Sequence, residues 1–470
     1  MRKWKKCRKI GVFLLVCLML STISTQSVLA TNAQQTLEQM IEETKEKAGI
    51  SHISVVVVDH GNETFMGEED TQALYQIGSM TKAFTALGIL YLVDEGEIDL
   101  QQQIDTYIPG FYVTYCGEKV IPTVNDLLYQ LSGFTNSEKD YPSAESGMSL
   151  TDWGKSICGS EVSTYPGEAY AYSNVNYNLL GLIIENVSGQ SYAEFMTANI
   201  LEPLGLYHTY CGETFENQTV FEGTRLGFGH AFTYNIDVRE GTIPAGYFYS
   251  NITDMSRWLR IQMGEVDVPE RYQRIIEQSH SIAVDMDQSL SYFAGWDLLG
   301  EQVIGHSGGT PNYSSRIMFD NQNKVGVCVL TNMNAAASTD SLCTGILNQL
   351  TGRIVTGFTY DVWRIFDKIF SIITILGVIV PVGIERLKNK KFYRKMILGL
   401  GFFVSVITVA LLIALPNIFA ADWITILGTW APISMTSGML ILIVDCVAAW
   451  IAFGKTARKM KGIGVTYEKQ

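Results

Sequence analysis

The stretch that organises the chain is SMTKAFTALGILYLVDEGEI, residues 79–98. Phe84, Leu87, Leu90 and Tyr91 recur three and four residues apart, the spacing of one helix face, which predicts a helix beginning close to Ser79. Ser79 and Lys82 then share a face of its first turn. A serine placed there sits at the positive end of the helix dipole, among backbone N–H groups suited to a developing oxyanion. A lysine buried beside it loses its proton more readily, because desolvation penalises the ammonium, and can activate the hydroxyl. Ser-x-x-Lys also turns up by chance roughly once in a chain of this length. The pair needs company elsewhere to mean anything.

Upstream, residues 36–49 read as an amphipathic helix and residues 53–61, ISVVVVDHG, as a strand ending in a turn. Downstream, residues 95–245 mix helices with Gly/Pro-rich loops, and 122–130 and 177–187 are the clearest helical stretches. TDMSRWLRIQM, residues 253–263, reads as a helix capped by Thr253. The chain then returns to strands: YFAGWDLL (292–299), QVIGHSG (302–308), SSRIMFD (314–320) and KVGVCVLTN (324–332), the last two a hairpin around DNQNK. This order predicts an α+β fold. An antiparallel sheet flanked by helices is assembled from both ends of the domain, and a mostly helical subdomain is inserted between them.

Two further stretches can carry chemistry. In TYPGEAYAYSNVNYN, residues 164–178, the triplet Tyr172-Ser173-Asn174 lies between a Pro-Gly turn and a helix. A phenol held against an ammonium is shifted toward phenolate and can shuttle a proton, and an asparagine offers both a donor and an acceptor to an amide. An aromatic loop packed on a core is the plain alternative. In VIGHSGGTPNYSS, residues 303–315, Gly308 and Gly309 permit close approach of a ligand to the backbone. Alone, His306 is open to three readings: base of a Ser-His-Asp triad, metal ligand, or strand histidine.

The net charge of −13 is strongly partitioned. Residues 1–30 hold six basic and no acidic side chains, residues 363–470 hold thirteen basic and five acidic, and residues 31–362 hold 15 and 42. An acidic body argues against nucleic acid as a partner. The ends read as membrane signals. MRKWKKCRK, IGVFLLVCLML and SVLA form a signal peptide over residues 1–30 with cleavage near Ala30. An exported domain over 31–360 follows. Residues 361–470 carry three apolar stretches, about 366–384, 396–420 and 426–453, each near the roughly 20 residues that span a bilayer. RLKNKKFYRK (386–395) and the tail after Phe453 are basic, whereas the connector between the second and third stretches has no basic residue. Positive charge inside then gives a multi-pass protein of the cell membrane, its large domain extracytoplasmic and its C-terminus cytoplasmic. Five cysteines in the exported domain (Cys116, Cys158, Cys211, Cys328, Cys343) are scattered and odd in number, which is no disulfide framework. No spacing suggests a metal, and no cofactor is expected.

Taken in order, Ser-x-x-Lys at 79–82, Tyr-Ser-Asn at 172–174 and His-Ser-Gly at 306–308 resemble the elements of the penicillin-recognising serine hydrolases. That family includes serine β-lactamases and penicillin-binding proteins. The Tyr-x-Asn form is similar to the class C β-lactamase branch with its D-peptidases and esterases. LLYQLSGF, YPGEAYAYSN, NYNLLGLIIENVSGQSY, EPLGLYHT, AGYFYSNITDMSRWL and GHSGG…VCVLTN extend the likeness over about residues 35–350. The resemblance implies Ser79 as acylated nucleophile, Lys82 as its activating amine and Tyr172 as partner in proton transfer. It implies Asn174, His306, Ser307 and Gly308 on the substrate, and the backbone N–H groups of Ser79 and Gly309 as oxyanion hole. Two departures stand out. His306 replaces the lysine of the third element, so that positive charge becomes pH-dependent, and the segment beyond Arg353 has no counterpart in secreted lactamases.

The expectation is a membrane-tethered extracytoplasmic serine hydrolase acting on cell-wall D-amino-acid peptides, β-lactams or related amides and esters. A second expectation is a sensor, acylated once, that signals through the membrane helices. Asp445, an acid inside an apolar span, would suit that role, but no cytoplasmic domain is visible to receive a signal.

Overall fold

The computed structural model describes residues 36–135, 141, 144–281, 284–287, 290–355, 357–387, 391–419 and 421–464. The signal peptide expected at 1–30 lies outside the described residues. Eight strands form one antiparallel sheet: β1 (Ile53–Asp59), β2 (Asn62–Gly67), β3 (Val284–Asp287), β4 (Leu290–Tyr292), β5 (Asp297–Leu299), β6 (Val303–Gly309), β7 (Ser314–Asp320) and β8 (Val325–Thr331), in the spatial order β3-β4-β5-β6-β7-β8-β1-β2. β1 pairs with β8 from Ile53 opposite Thr331 to Asp59 opposite Val325, so the two ends of the domain meet in mid-sheet. Its run of valines is buried on both sides. Val56 and Val58 face the core beneath the inserted region, while Ile53, Val55 and Val57 face a second core under α1 (Leu37–Ala48) and the helix Ala336–Leu350. The period of two along a strand divides one apolar run between two layers.

Residues 68–283, between β2 and β3, form the inserted, mostly helical region. At its heart is α2 (Thr81–Asp94), where everything from Thr81 to Leu90 is buried. It is therefore a core helix rather than a surface helix with one apolar stripe. Helix α3 (Asn174–Ser188) packs against it. Gly295, with φ +80°, lets the β4–β5 turn reach α2: a Cβ there would lie 2.6 Å from the Ala83 Cα.

Two local expectations are corrected. YFAGWDLL is two strands, because Phe293 N–H donates to the Trp296 carbonyl across a turn at Gly295. The helix Ile252–Gln262 is capped by Asn251, whose side chain accepts from Asp254 N–H at 2.7 Å, while the Thr253 hydroxyl donates to the Thr71 carbonyl. All six cysteines among the described residues are free thiols.

Three long helices close the chain: Val362–Leu387, Lys391–Ile418 and Ile433–Gly464. The third apolar stretch, expected over 426–453, is divided. Pro432 forces extended backbone on Ala431 (ψ 152°), and the long helix starts only at Ile433. Among the described residues no single helix is long and apolar enough to cross a membrane; the bent pair Phe402–Ile418 and Trp423–Trp430, turned by 92°, meets that test together.

His280 lies against Phe293, Trp296 and Phe319, with ring centroids 5.8 to 6.2 Å away. Burial lowers its imidazole to about 4 from the usual 6.5, so the folded state resists a proton that the unfolded chain accepts. Stability is therefore lost as pH falls from 6.5 toward 4, by about 3 kcal/mol from this residue. Urea unfolding across that range is expected to show the loss, and His280→Phe is expected to remove it.

Candidate active site

Residues 77–82 are anchored before any substrate is considered. Ile77 N–H donates to the Phe248 carbonyl at 2.9 Å, and the Ile77 carbonyl accepts from Ser315 Oγ at 2.8 Å. Thr81 Oγ1 donates to the Gly78 carbonyl at 2.7 Å and accepts from Phe248 N–H. Gly78–Met80 is a 3-10 turn leading into α2, so Ser79 stands half-exposed at the head of a buried helix. Gly78 has φ +53°, and a Cβ on it would lie 2.3 Å from the Gly309 nitrogen. Two glycine backbones thus touch, and the amides of Ser79 and Gly309 are held on one side of the cleft. β5 covers β6 only as far as Gly305, opposite Asp297, so residues 306–309 turn an edge free of any strand partner toward Ser79.

Lys82 is fully buried. Its Nζ lies 3.0 Å from Ser79 Oγ, 2.7 Å from Asn174 Oδ1 and 2.6 Å from the Ala245 carbonyl oxygen. Burial holds its pKa well below the usual lysine range, against a smaller upward pull from Asp297. A neutral amine has two N–H donors and one lone pair. Asn174 Oδ1 and the Ala245 carbonyl can only accept, so each takes an N–H of the Lys82 amine; in its uncharged form the amine would have a lone pair left for the Ser79 hydroxyl.

The Tyr172 ring lies 4.9 Å from Lys82 Nζ. Burial pushes its phenol up, the contact with Ser79 offsets part of this, and Asp297 adds to the rise. The expected drift toward phenolate is thus corrected. Burial outweighs every charge around the phenol, and Tyr172 is a neutral hydroxyl. The loop is set by a buried network: Gln130 Oε1 accepts from Ser173 N–H and Asn176 Nδ2, Ser132 Oγ donates to Asn176 Oδ1, and Ser173 Oγ donates to the Thr135 carbonyl. Ser173 also caps α3, which places Asn174 on its first turn.

His306 is buried, with its ring centroid 6.2 Å from Tyr172 and 6.3 Å from Tyr292. Its Nδ1 lies 2.7 Å from the Ser307 carbonyl, a pure acceptor, so the proton sits on Nδ1 and Nε2 carries the lone pair. Nε2 has no hydrogen-bond partner. Burial lowers the imidazole below its usual value, despite Asp297. His306 is therefore neutral near pH 7, and no hydrogen bond joins it to Ser79; Lys82 occupies the place a triad base would hold.

Ser79, Tyr172, His306, Ser307 and Gly309 line one cavity of about 380 Å³, together with Tyr170, Met286 and Asp297. Lys82 meets Ser79 and is itself held by Asn174, and Gly308 is packed against Ile77, where a Cβ would lie 2.0 Å from its carbonyl oxygen. Every residue singled out in the sequence is thus in one place. Asp297 and the Ala245 carbonyl were not foreseen. A second, open depression of about 700 Å³ between α1 and residues 229–231 is lined largely by charged and polar side chains of α1, with no serine or cysteine among them.

Gly78→Ala is expected to lower stability by about 2–4 kcal/mol, from left-handed strain and overpacking against Gly309. Urea unfolding measures this; an unchanged midpoint would show that the two backbones are not pressed together.

Residues 37–346 match the family model Beta-lactamase. Protein flp of Staphylococcus aureus (strain COL) is 31% identical over 325 residues, 65% of this chain and 64% of that protein, so the chain spans just under two thirds of this relative's length. Protein flp of strain MRSA252 is 29% identical over 440 residues, 87% of each chain. Penicillin-binding protein 4* of Bacillus subtilis (strain 168) is 25% identical over 53% of this chain and 58% of its own. Among solved structures, the octameric penicillin-binding protein homologue from Pyrococcus abyssi matches with TM-score 0.58 and 25% identity over 71% of this chain and 80% of that one. A class C β-lactamase shares the fold at TM-score 0.58 and 17% identity, over 67% and 94%. A family model matched along most of the chain, over the whole sheet-and-helix domain that carries Ser79, Lys82 and Gly309, settles the affiliation: the chain belongs to the beta-lactamase family.

Proposed function

We propose that the chain is a membrane-tethered, extracytoplasmic serine hydrolase that forms an acyl-enzyme on Ser79. The observation that carries this reading is the fully buried Lys82, its pKa held well below the usual lysine range by burial, with Nζ 3.0 Å from Ser79 Oγ and its other two neighbours both pure acceptors. The Ser79 proton passes to the Lys82 lone pair as Oγ attacks the substrate carbonyl. The N–H groups of Ser79 and Gly309 receive the oxyanion. The proton then moves from Lys82 through the neutral Tyr172 phenol to the leaving group, and water releases the acyl group by the reverse path. Asn174 and the β6 edge position the substrate. Cell-wall D-amino-acid peptides, β-lactams and related amides or esters are the substrate classes that the family membership supports.

Membrane attachment rests on the C-terminal helices, where Ile372, Leu376, Val378, Ile379, Phe402, Val406 and Ile413 are exposed apolar side chains, and on the basic flanks of the apolar stretches. In sealed, right-side-out vesicles, protease is expected to digest the 31–360 domain and spare the C-terminal tail; the opposite pattern would reverse the topology.

A second reading, a sensor acylated without turnover, is favoured by direct bonds between the domain and the C-terminal helices: Arg225 donates to the Leu427 and Ala431 carbonyls, and Tyr234 Oη to the Gly428 carbonyl at 2.7 Å. Decay of the adduct separates the two readings, since an enzyme regains free Ser79 and a sensor does not.

A fluorophosphonate and a fluorescent penicillin are expected to label the wild type, and Ser79→Ala is expected to abolish labelling; label retained in that variant refutes the nucleophile. Because burial lowers the pKa of Lys82, acylation should rise with pH through that lowered value and level off far below 10.5. Lys82→Arg, permanently charged, should slow acylation by about 10²–10⁴-fold.

A further inference from the structure

We propose that the hairpin Thr224–Thr233 rests on the lipid bilayer, with the Phe228 ring at its tip entering the boundary between headgroups and acyl chains. The proposal rests on the membrane reading of the C-terminal helices above. It adds a second contact, made by the large domain itself and independent of what the cleft binds.

The turn is built against its own sequence. Gly227 pairs with His230, so the loop between the strands Thr224–Gly227 and His230–Thr233 is only Phe228 and Gly229. Both have positive φ, +50° and +85°. A two-residue loop of that kind matches the twist of its strands but ordinarily takes Asn, Asp or Gly at the first position. A bulky side chain is strained there. Phe228 bears the strain and is still 39% exposed, and Phe232 on the return strand is 44% exposed. Packing within the chain therefore leaves much of both rings uncovered.

Where the tip is fastened says what covers them. Gly229 N–H donates to Asp367 Oδ2 at 2.8 Å, and Arg364 Nη1 donates to the Gly229 carbonyl at 3.3 Å. A Cβ on Gly227 would lie 3.0 Å from the Ile433 Cβ. The hairpin thus sits at the N-terminal ends of Val362–Leu387 and Ile433–Gly464, the ends that the membrane reading puts outside the cell. The helix that holds the tip exposes Ile365, Ile369 and Ile372 at helical spacing, so an apolar surface continues downward from it. Trp423–Trp430, turned by 92° from Phe402–Ile418, runs across the helix direction and accepts hydrogen bonds from Arg225 and Tyr234. Its Ile424 is exposed, as an apolar side chain is when a short helix lies in the plane of a bilayer surface. On the other side of the tip stand Glu42, Glu43 and Glu46 of α1. Charge therefore does not draw this face to anionic headgroups, and the contact is apolar. It also orients the domain. Thr224 N–H donates to the Asn332 carbonyl at 2.7 Å, beside Thr331, which pairs with Ser314, the partner of Gly309. The Gly309 end of the sheet is thereby held toward the bilayer.

The test is photocrosslinking of the full chain in neutral phosphatidylcholine vesicles. Three variants are compared: Phe228→p-benzoylphenylalanine, Phe402→p-benzoylphenylalanine and Tyr207→p-benzoylphenylalanine. Phe402 is an exposed ring on a C-terminal helix, and Tyr207 is an exposed ring in the inserted helical region. After irradiation, the peptides that carry residues 228 and 402 are expected to gain the mass of one phosphatidylcholine, and the peptide that carries residue 207 is not. Should the turn variant fail to accumulate, Phe232→p-benzoylphenylalanine takes its place with the same expectation. A lipid adduct at 402 but none on the hairpin, a hairpin crosslink to this chain or to a second copy, or an equal lipid adduct at 207 would overturn the proposal and leave the membrane reading standing. No lipid adduct at 402 would remove the membrane reading itself.

Discussion

The site depends on a lysine that has been taken out of water without being given an ion-pair partner. Lys82 is fully enclosed, and its three neighbours are a hydroxyl, a side-chain amide oxygen and a backbone carbonyl. An ammonium in that place carries its full desolvation penalty with no opposite charge in contact, so its pKa is driven well below the usual lysine range. This single condition sets the rest. It suits the amine to the role of base proposed for it, and it leaves Ser79 Oγ as the one neighbour of Nζ that can also donate. It also makes α2 a helix buried on all sides, since any exposed face near Lys82 would readmit water.

The second constraint is backbone against backbone. Ser79 and Gly309 come from segments far apart in sequence, and they meet because neither Gly78 nor Gly308 has a side chain to hold them apart. β5 stops at Asp297, opposite Gly305, and its shortness leaves the β6 edge open where a substrate can lie. The same register that opens the edge sets Asp297 at its rim. The open edge and the carboxylate at its rim thus both come from the end of one short strand.

Legibility in the sequence followed the range over which each feature is determined. Ser79, Lys82, Tyr172, Asn174 and His306–Gly309 stand in short motifs, where spacing along the chain already says which side chains share a turn or loop. The paired strands around DNQNK and the valine run at 53–58 were equally plain, because alternation and turn chemistry are local. Asp297 was hidden: it sits in a stretch that read as one continuous strand, and only the turn at Gly295 and the register with Gly305 bring it to the cleft. The neutrality of Tyr172 and His306 was hidden too, since burial depends on what packs above a residue. Asn251 and Thr253 are both good caps, and the choice was made by a tertiary bond from Thr253 to Thr71.

The C-terminal helices are tied to the cleft by a short chain of hydrogen bonds. Tyr234 Oη donates to the Gly428 carbonyl, and the Tyr234 carbonyl accepts from Asn312 Nδ2 at 2.8 Å. Asn312 Oδ1 in turn accepts from Thr310 Oγ1 at 3.1 Å, and Thr310 directly follows Gly309. Arg225, on the strand that begins one residue after Gly223, adds its own bonds to the Leu427 and Ala431 carbonyls. A domain cut off before residue 362 would keep every side chain that lines the cleft, yet it would lose the carbonyls that accept from Tyr234 and Arg225. Because the oxyanion site proposed at the Gly309 N–H tolerates little displacement, the helices beyond the domain bear on the geometry of the cleft.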